Sequence, residues 1–303
     1  MTFNWNIPFI RYRFWFAAIS AAFILWSFFG MGTKGFNYGI DFLGGAKIGY
    51  QFDRAIGEDG IRQSLEGLGL GEVSVVRFGP AEEHRMSIKV KAPEQHAEIA
   101  TTITATLQKT FGAESVKLEQ TETVGPKVGQ EMRTKAWLTI LVSWALMLIY
   151  VGYRFDFYFA PGAIVALVHD VTITLGFFVW MGKEINLSIL AALLTIIGYS
   201  VNDTIVIFDR IRENRSRITP VTIDDVVNES VNATLSRTII TSLTVLFVVV
   251  ILFLTGGGTL HDFAFALIVG VIVGSYSTIF IASPMYIALY RYWPMLKARR
   301  RNA

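Results

Sequence analysis

The sequence contains no cysteine, which excludes disulfide bridges, thiolate metal sites and cysteine nucleophiles. Charge is also scarce, because 17% of the 303 residues are charged and 52% are hydrophobic. Together with a mean hydropathy of +0.46, this composition indicates a protein with several membrane spans. The net charge of +3 is too small to suggest nucleic acid as a partner.

Six apolar segments are long enough to cross a bilayer, which takes about 20 helical residues. They are Phe14–Met31, Ala136–Tyr153, Phe159–Met181, Ile185–Phe208, Ala233–Leu254 and Phe263–Tyr290. The first could be taken for a cleavable signal peptide. It is long for that role, rich in aromatic residues and lacks a small-x-small cleavage site, so a retained first span is favoured. The sequence therefore predicts an α-helical integral membrane protein with six transmembrane helices.

Lysine and arginine near the span ends predict the orientation of the chain. They lie before the first span and after the second, fourth and sixth, all on one side, whereas the short loops on the other side contain only Lys183. Both termini are therefore predicted to be cytoplasmic. The predicted regions are the N-terminus with the first span (1–36), an external domain (37–131), five further spans (132–290) with a cytoplasmic loop (209–236), and a basic cytoplasmic tail (291–303).

The external stretch has the pattern of a small α+β domain. Helices are predicted at Gly60–Leu68 and from Pro93 and Glu94 to Phe111. Strands are predicted at Ala46–Phe52, Val73–Phe78, Met86–Val90 and Val116–Thr123. The order βαββαβ predicts a ferredoxin-like domain outside the membrane.

The cytoplasmic loop contains a second helix start. Thr222 is predicted to begin this helix, with Asp225 as its acidic partner in the manner of a capping box. We expect the helix to run along the membrane surface into the fifth span.

Glycines mark two places where backbones must turn or approach closely. Gly39–Gly45 is predicted to be a tight turn into the first strand, and it is not a phosphate loop because no Lys-Ser/Thr follows it. In the sixth span, small residues recur every four positions, which predicts close packing against another span or another subunit. They are Ala266, Gly270, Gly274 and Thr278.

Ionisable residues inside the predicted spans are the strongest functional signal. A charge at the bilayer centre costs about 2.5–3.5 kcal/mol on insertion scales, so His169, Asp170, Asp203 and Arg237 are candidates for function. Asp203 and Arg237 lie at similar depth at helical rise, which makes an ion pair and a reversible proton site plausible. Alternatively, Asp203 bonds structurally and Arg237 extends to the headgroups.

Adjacent helical residues point about 100° apart, so His169 and Asp170 are not expected to share one face. They are candidates either for a relay or for packing. Only His84, His96 and His261 remain, each outside the core of a span, so no metal site is predicted. An intramembrane aspartyl protease is disfavoured because the Gly-x-Gly-Asp signature is absent before Asp203.

Several motifs resemble the SecF family of the bacterial protein-export machinery. They are Phe36–Gly45, Val124–Pro126, Ala166–Val171, Gly198–Asn214 and Leu235–Thr238. The resemblance implies half of an RND-type bundle in the bacterial inner membrane, with residues 37–131 in the periplasm. It implies SecD, the SecYEG channel and YajC as partners, no cofactor, and Asp203 with Arg237 as the proton-coupling pair. Asn202 joins His169 and Asp170 as a candidate for a relay or for packing.

The mechanism that this resemblance implies involves no covalent chemistry, so the chain is not expected to be an enzyme. Protons would reach Asp203, break its pairing with Arg237 and move helices against SecD. The movement would pass through the first span and a coupling turn to the external domain, which holds a translocating preprotein. The residues of the turn are Gly39, Asp41, Gly44 and Gly45. The alternatives are an RND-type exporter of small molecules or lipids, and a structural scaffold.

Overall fold

The computed structural model describes residues 6–71, 73–91, 96–155, 158–219 and 221–301. The strands are β1 (Gly45–Phe52), β2 (Val73–Arg77), β3 (Arg85–Val90) and β4 (Val116–Val124). The helices, in chain order, are α1 (Arg13–Lys34), α2 (Ile40–Leu43), α3 (Glu58–Leu65), α4 (His96–Phe111), α5 (Pro126–Arg154), α6 (Ala160–Trp180), α7 (Leu187–Glu213), α8 (Ile223–Thr255), α9 (Thr259–Ser277) and α10 (Ser283–Arg301). A π-helical stretch, Thr278–Ala282, joins α9 to α10.

The six predicted spans are confirmed as helices long and apolar enough to cross a membrane. Five are α1, α5, α6, α7 and α8, and the sixth runs through α9, the π stretch and the start of α10. In their most apolar windows, 78% of α6 residues are buried, against 17% in each of α1, α5 and α8. α6 is therefore the centre of the bundle, and the other three present most of their apolar surface outward.

Small residues allow the inner helices to pack closely, as the stripe in the sixth span predicted. A Cβ atom at Gly270 would overlap Ile196 of α7, and one at Gly274 would lie 3.3 Å from the Cβ of Ser200. The partner of this stripe is thus another span of the same chain. Gly176 of α6 allows the same close packing against α1, because a Cβ atom at this position would overlap Ser27.

The α+β domain between the first two spans, which is predicted to be external and is called the external domain below, has the predicted ferredoxin-like topology. Its four strands are all antiparallel in the order β2-β3-β1-β4. One face of the sheet packs its apolar side chains against α3 and α4. The predicted Gly60–Leu68 helix is α3 followed by a 3-10 turn, Glu66–Leu68. The predicted start of α4 at Pro93 and Glu94 lies outside the described residues.

The predicted turn before β1 is a one-turn helix, α2, followed by two glycines with positive φ. The φ angles of Gly44 and Gly45 are +88° and +146°. A Cβ at Gly44 would lie 2.9 Å from the Cα of Pro126, and one at Gly129 would lie 2.9 Å from the nitrogen of Gly44. The two chain segments that enter and leave the domain therefore touch through backbone atoms, which only glycine permits here.

The first turns of α8, which precede the fifth span, differ from the prediction. α8 is one uninterrupted helix, and residues of its first turns, such as Ile223 and Val227, are buried in the core of the bundle instead of lying on a surface. The predicted capping box is not formed, because the Thr222 hydroxyl accepts a hydrogen bond from the Thr219 amide at 2.9 Å and donates to the carbonyl of Arg217 at 2.7 Å. The Thr222 amide donates to the hydroxyl of Thr219 at 3.1 Å, so both capping groups are already occupied.

Candidate functional site

Asp203 lies inside the bundle on α7, with 6% of its surface exposed. Its Oδ1 accepts a hydrogen bond of 2.6 Å from the hydroxyl of Thr238 on α8. Its Oδ2 is buried and has no hydrogen-bond partner among the described residues. One oxygen of this carboxyl group is therefore held and the other is left open, in a part of the chain where an unpaired polar atom is costly.

The predicted direct ion pair between Asp203 and Arg237 is not formed in this structure. Arg237 is exposed, and among the described residues no ion pair within 4.0 Å joins it to Asp203. The reason is the rotation of about 100° per helical residue, which turns Thr238 of α8 inward and Arg237 outward. Asn202 is exposed in the same way next to the buried Asp203. Asp203 is thus hydrogen-bonded within the bundle, and Arg237 is directed outward.

The side chains of His169 and Asp170 contact each other, although the prediction placed them on different faces. His169 Nδ1 lies 2.9 Å from Asp170 Oδ1, and both residues are at most 2% exposed. Asp170 Oδ2 accepts hydrogen bonds from the hydroxyls of Ser200 at 2.6 Å and Ser277 at 3.0 Å. α6 is surrounded by other helices, so both of its neighbouring side chains face protein. Each can therefore turn towards the other.

Other hydroxyl groups extend these contacts across the bundle. The hydroxyls of Thr204 and Thr278 are 3.3 Å apart, which links the residue after Asp203 to the start of the π stretch. Tyr199 donates to Ser242 of α8 at 2.8 Å, and the hydroxyls of Ser242 and Ser275 are 2.7 Å apart. Sequence reasoning missed these partners. Their signal was the unusual number of serines and threonines in α7, α8 and α9, which it did not weigh.

The coupling turn contacts the start of α7. Asp41 Oδ2 accepts a hydrogen bond of 3.0 Å from the Leu187 amide, the first residue of α7. The amide of Gly39 donates to the carbonyl of Ile185 at 2.9 Å. Just before α7, Glu184 forms an ion pair of 2.7 Å with Lys89 of β3. The N-terminus of the helix that carries Asp203 is thus held by both the turn and the external domain.

No group of three or more histidine, cysteine, aspartate or glutamate side chains among the described residues could hold a metal ion. The buried polar side chains described above carry carboxyl, imidazole and hydroxyl groups. These groups can accept, donate and exchange protons.

Known proteins are similar to nearly the whole chain. The family described as protein export membrane protein SecD/SecF, C-terminal, matches residues 102–292, and the SecD/SecF GG motif matches residues 29–56. Protein translocase subunit SecF from Calditerrivibrio nitroreducens is 45% identical over 281 residues, which are 92% of each chain. This chain belongs to the SecF family. The SecF subunit from Rhodothermus marinus is 42% identical over 99% of this chain and 97% of its own.

Two solved structures share the fold. The SecDF structure from Thermus thermophilus, described as a translocon-associated membrane protein, has 34% identity and a TM-score of 0.81 over 95% of this chain. SecDF in a super-membrane-facing form has 33% identity and a TM-score of 0.72 over 99% of this chain. This SecF-family chain covers only 39% and 41% of those two longer chains.

Proposed function

We propose that this chain is the SecF half of a proton-driven complex that promotes preprotein export across the bacterial inner membrane. The observation that carries the proposal is Asp203, whose carboxyl group is buried in a six-span bundle with Oδ2 unpaired among the described residues. A carboxyl group in this setting is expensive to maintain and is typical of sites that bind and release protons. Its second oxygen remains open to a proton or to a partner.

The outward side chains of Asn202 and Arg237 support a partner bundle that completes the site. An arginine at span depth is costly when it faces lipid, so a partner that offers acceptors to it would relieve that cost. We infer that this partner is SecD, because this chain matches only 39% of the solved SecDF chain. In this arrangement Asp203 and Arg237 couple across the contact between the two bundles, in place of a direct pair within this chain.

In the proposed mechanism, α7 transmits the effect of protonation to the external domain. At 1.5 Å per residue, Asp203 lies about 24 Å along the helix from Leu187. The contacts of Asp41 and Glu184 at that end favour this route over the predicted one through the first span. A shift of α7 would move the turn and the sheet together, since both are attached to its N-terminus.

The proposal extends to orientation and partners on the basis of the family resemblance. Both termini lie in the cytoplasm, and the ferredoxin-like domain lies in the periplasm. There it holds a preprotein that emerges from the SecYEG channel and prevents it from sliding back. YajC is an accessory subunit, and the exposed apolar faces of α1, α5 and α8 contact membrane lipid or SecD.

The test is preprotein export into inverted membrane vesicles, with and without a proton gradient, at equal amounts of assembled complex. We expect Asp203→Asn to abolish the gradient-dependent component, because asparagine keeps the size and the acceptor for Thr238 but cannot bind a proton. Asp225→Asn is the matched control, since Asp225 is exposed at the cytoplasmic start of α8. It makes the same chemical change outside the bundle and should leave the gradient-dependent component intact.

Two outcomes would overturn the proposal. Full gradient stimulation in the Asp203→Asn complex would leave a structural scaffold as the better interpretation. Loss of proton-coupled efflux of a small molecule or lipid, with export of preproteins unchanged, would favour an RND-type exporter.

A further inference from the structure

A cluster around Asp170 ties the helix of Asp203 to two other helices, and the proposed proton-coupling step does not use it. Asp170 is 0% exposed, and its two oxygens have three partners in all. His169 lies on the same helix, Ser200 on α7 and Ser277 at the end of α9. In its carboxylate form, Asp170 can accept a hydrogen bond from each of them.

The cluster holds α7 close to Asp203. Ser200 precedes Asp203 by one helical turn, and its hydroxyl donates to Asp170. Thr204, which follows Asp203 directly, packs against Thr278 with the two hydroxyls 3.3 Å apart, while each hydroxyl donates to a carbonyl of its own helix. The rotation of α7 near Asp203 is therefore set by the hydrogen bond of Ser200 and by the packing of Thr204.

The hydroxyl of Ser277 has two acceptors within reach. It lies 3.0 Å from Asp170 Oδ2 and 3.0 Å from the carbonyl of Gly274 in its own helix. A hydroxyl has one proton to donate, so it serves one acceptor fully at a time. If Asp170 lost its negative charge, the Ser277 hydroxyl would donate to the carbonyl of Gly274 instead. The end of α9 would then lose its hydrogen bond to α6.

Close packing makes the cluster sensitive to small movements. A Cβ atom at Gly274 would lie 3.6 Å from Asp170 Oδ2, so the backbone of α9 passes directly against the carboxylate. The titratable groups in contact with the cluster are His169 on α6 and Tyr276 on α9, whose ring stacks on that of His169 at 6.0 Å. On α7, the titratable Asp203 follows Ser200 by one helical turn.

We propose that Asp170 is a positioning residue for the Asp203 site, acting through Ser200 and Ser277 to set the rotation of α7 against the sixth span. This inference rests on the proposed function. It assigns Asp170 a part in coupling that is distinct from proton binding at Asp203. A cluster that only stabilised the fold would change the amount of complex but not how the complex responds to pH.

The test measures gradient-dependent export in vesicles as a function of pH, again at equal amounts of assembled complex. The variants are Asp170→Asn, Ser200→Ala and Ser277→Ala. We expect each to move the pH midpoint by about half a pH unit or more, roughly the worth of one hydrogen bond. The single-hydroxyl variants keep the test open if Asp170→Asn fails to assemble. Thr174→Val is the matched control, because Thr174 is equally buried on α6 but bonds only the backbone carbonyl of Asp170.

An unchanged midpoint in all three variants, with or without a lower amplitude, would overturn the inference and leave Asp170 as a structural contact. A shift of the same size in Thr174→Val would also overturn it. Asp203→Asn is measured in parallel. If this variant retains gradient stimulation, the proposed function fails. If it loses gradient stimulation while the pH midpoints of the three cluster variants stay unchanged, only the positioning role of Asp170 fails.

Discussion

Two aspartates, Asp170 and Asp203, are buried in the same bundle and differ in how completely they are paired. Asp170 has partners on both oxygens from three helices, whereas Asp203 has one side-chain partner and one open oxygen among the described residues. The buried fraction of each residue is nearly the same, so burial alone does not distinguish them. The difference lies in satisfied hydrogen bonds, so we expect the two aspartates to differ in how much they contribute to stability.

Substitution of Asp170 should give the largest loss of stability. Asp170→Ala leaves His169 and the Ser200 hydroxyl without their acceptor, and each buried polar group left unsatisfied costs about 1–3 kcal/mol. Thermal unfolding of the purified chain in detergent should therefore show a clearly lower midpoint than in Asp203→Ala. Equal midpoints for the two variants would contradict the comparison.

Crowding the Asp170 cluster should give the next largest effect. Gly274→Ala places a methyl group 3.3 Å from Ser200 and should destabilise the chain by about 1–3 kcal/mol through overpacking. Gly198→Ala is the control on the neighbouring helix, because nothing lies within 4 Å of its Cβ position. There the higher helix propensity of alanine should stabilise by up to about 1 kcal/mol. The same unfolding assay should show shifts of opposite sign.

Thr238→Val removes the hydrogen bond that the Asp203 side chain accepts from Thr238 and tests its contribution directly. The expected loss of stability is about 1 kcal/mol, the usual net worth of one hydrogen bond. Thr241→Val is a suitable control, since Thr241 bonds only backbone carbonyls of its own helix. A chemical denaturation series should show a lower midpoint for Thr238→Val than for this control.

Asp203→Ala should have the smallest effect on stability. The lost bond to Thr238 is offset by removal of the unpaired Oδ2, and the Thr238 hydroxyl can return to a carbonyl of its own helix. We expect the unfolding free energy to stay within about 1 kcal/mol of the parent. A loss comparable to that in Asp170→Ala would show that Asp203 also serves the fold.

Much of the architecture could be predicted from local patterns. The apolar runs are long enough to define six spans, and the alternation of strands and helices defines the βαββαβ domain. Both patterns are formed by residues that are close together in the sequence, so they can be recognised without knowing the packing. The turn at Gly44 and Gly45 followed from the conformational freedom of glycine alone.

The site was only partly predictable. Residue number gives depth along a helix, so the presence of Asp203 and Arg237 at similar depth could be inferred. Rotation about the helix axis depends on packing against other helices, so the outward direction of Arg237 and the contact of His169 with Asp170 could not. The serine and threonine partners were missed for the same reason, because a hydroxyl gains a role only when another helix brings an acceptor to it.

The π stretch in the sixth span changes the helical phase of everything that follows it. Its turns hold an extra residue, which rotates α10 by up to about 100° relative to a continuous α-helix. Before the stretch, Gly270 and Gly274 pack against α7, and at its last residue the carbonyl of Ala282 lies 2.8 Å from the Cβ position of Gly162 on α6. The extra residue therefore sets which face of α10 meets α6. Deleting a single residue there would turn α10 away from α6 and leave α9 in place.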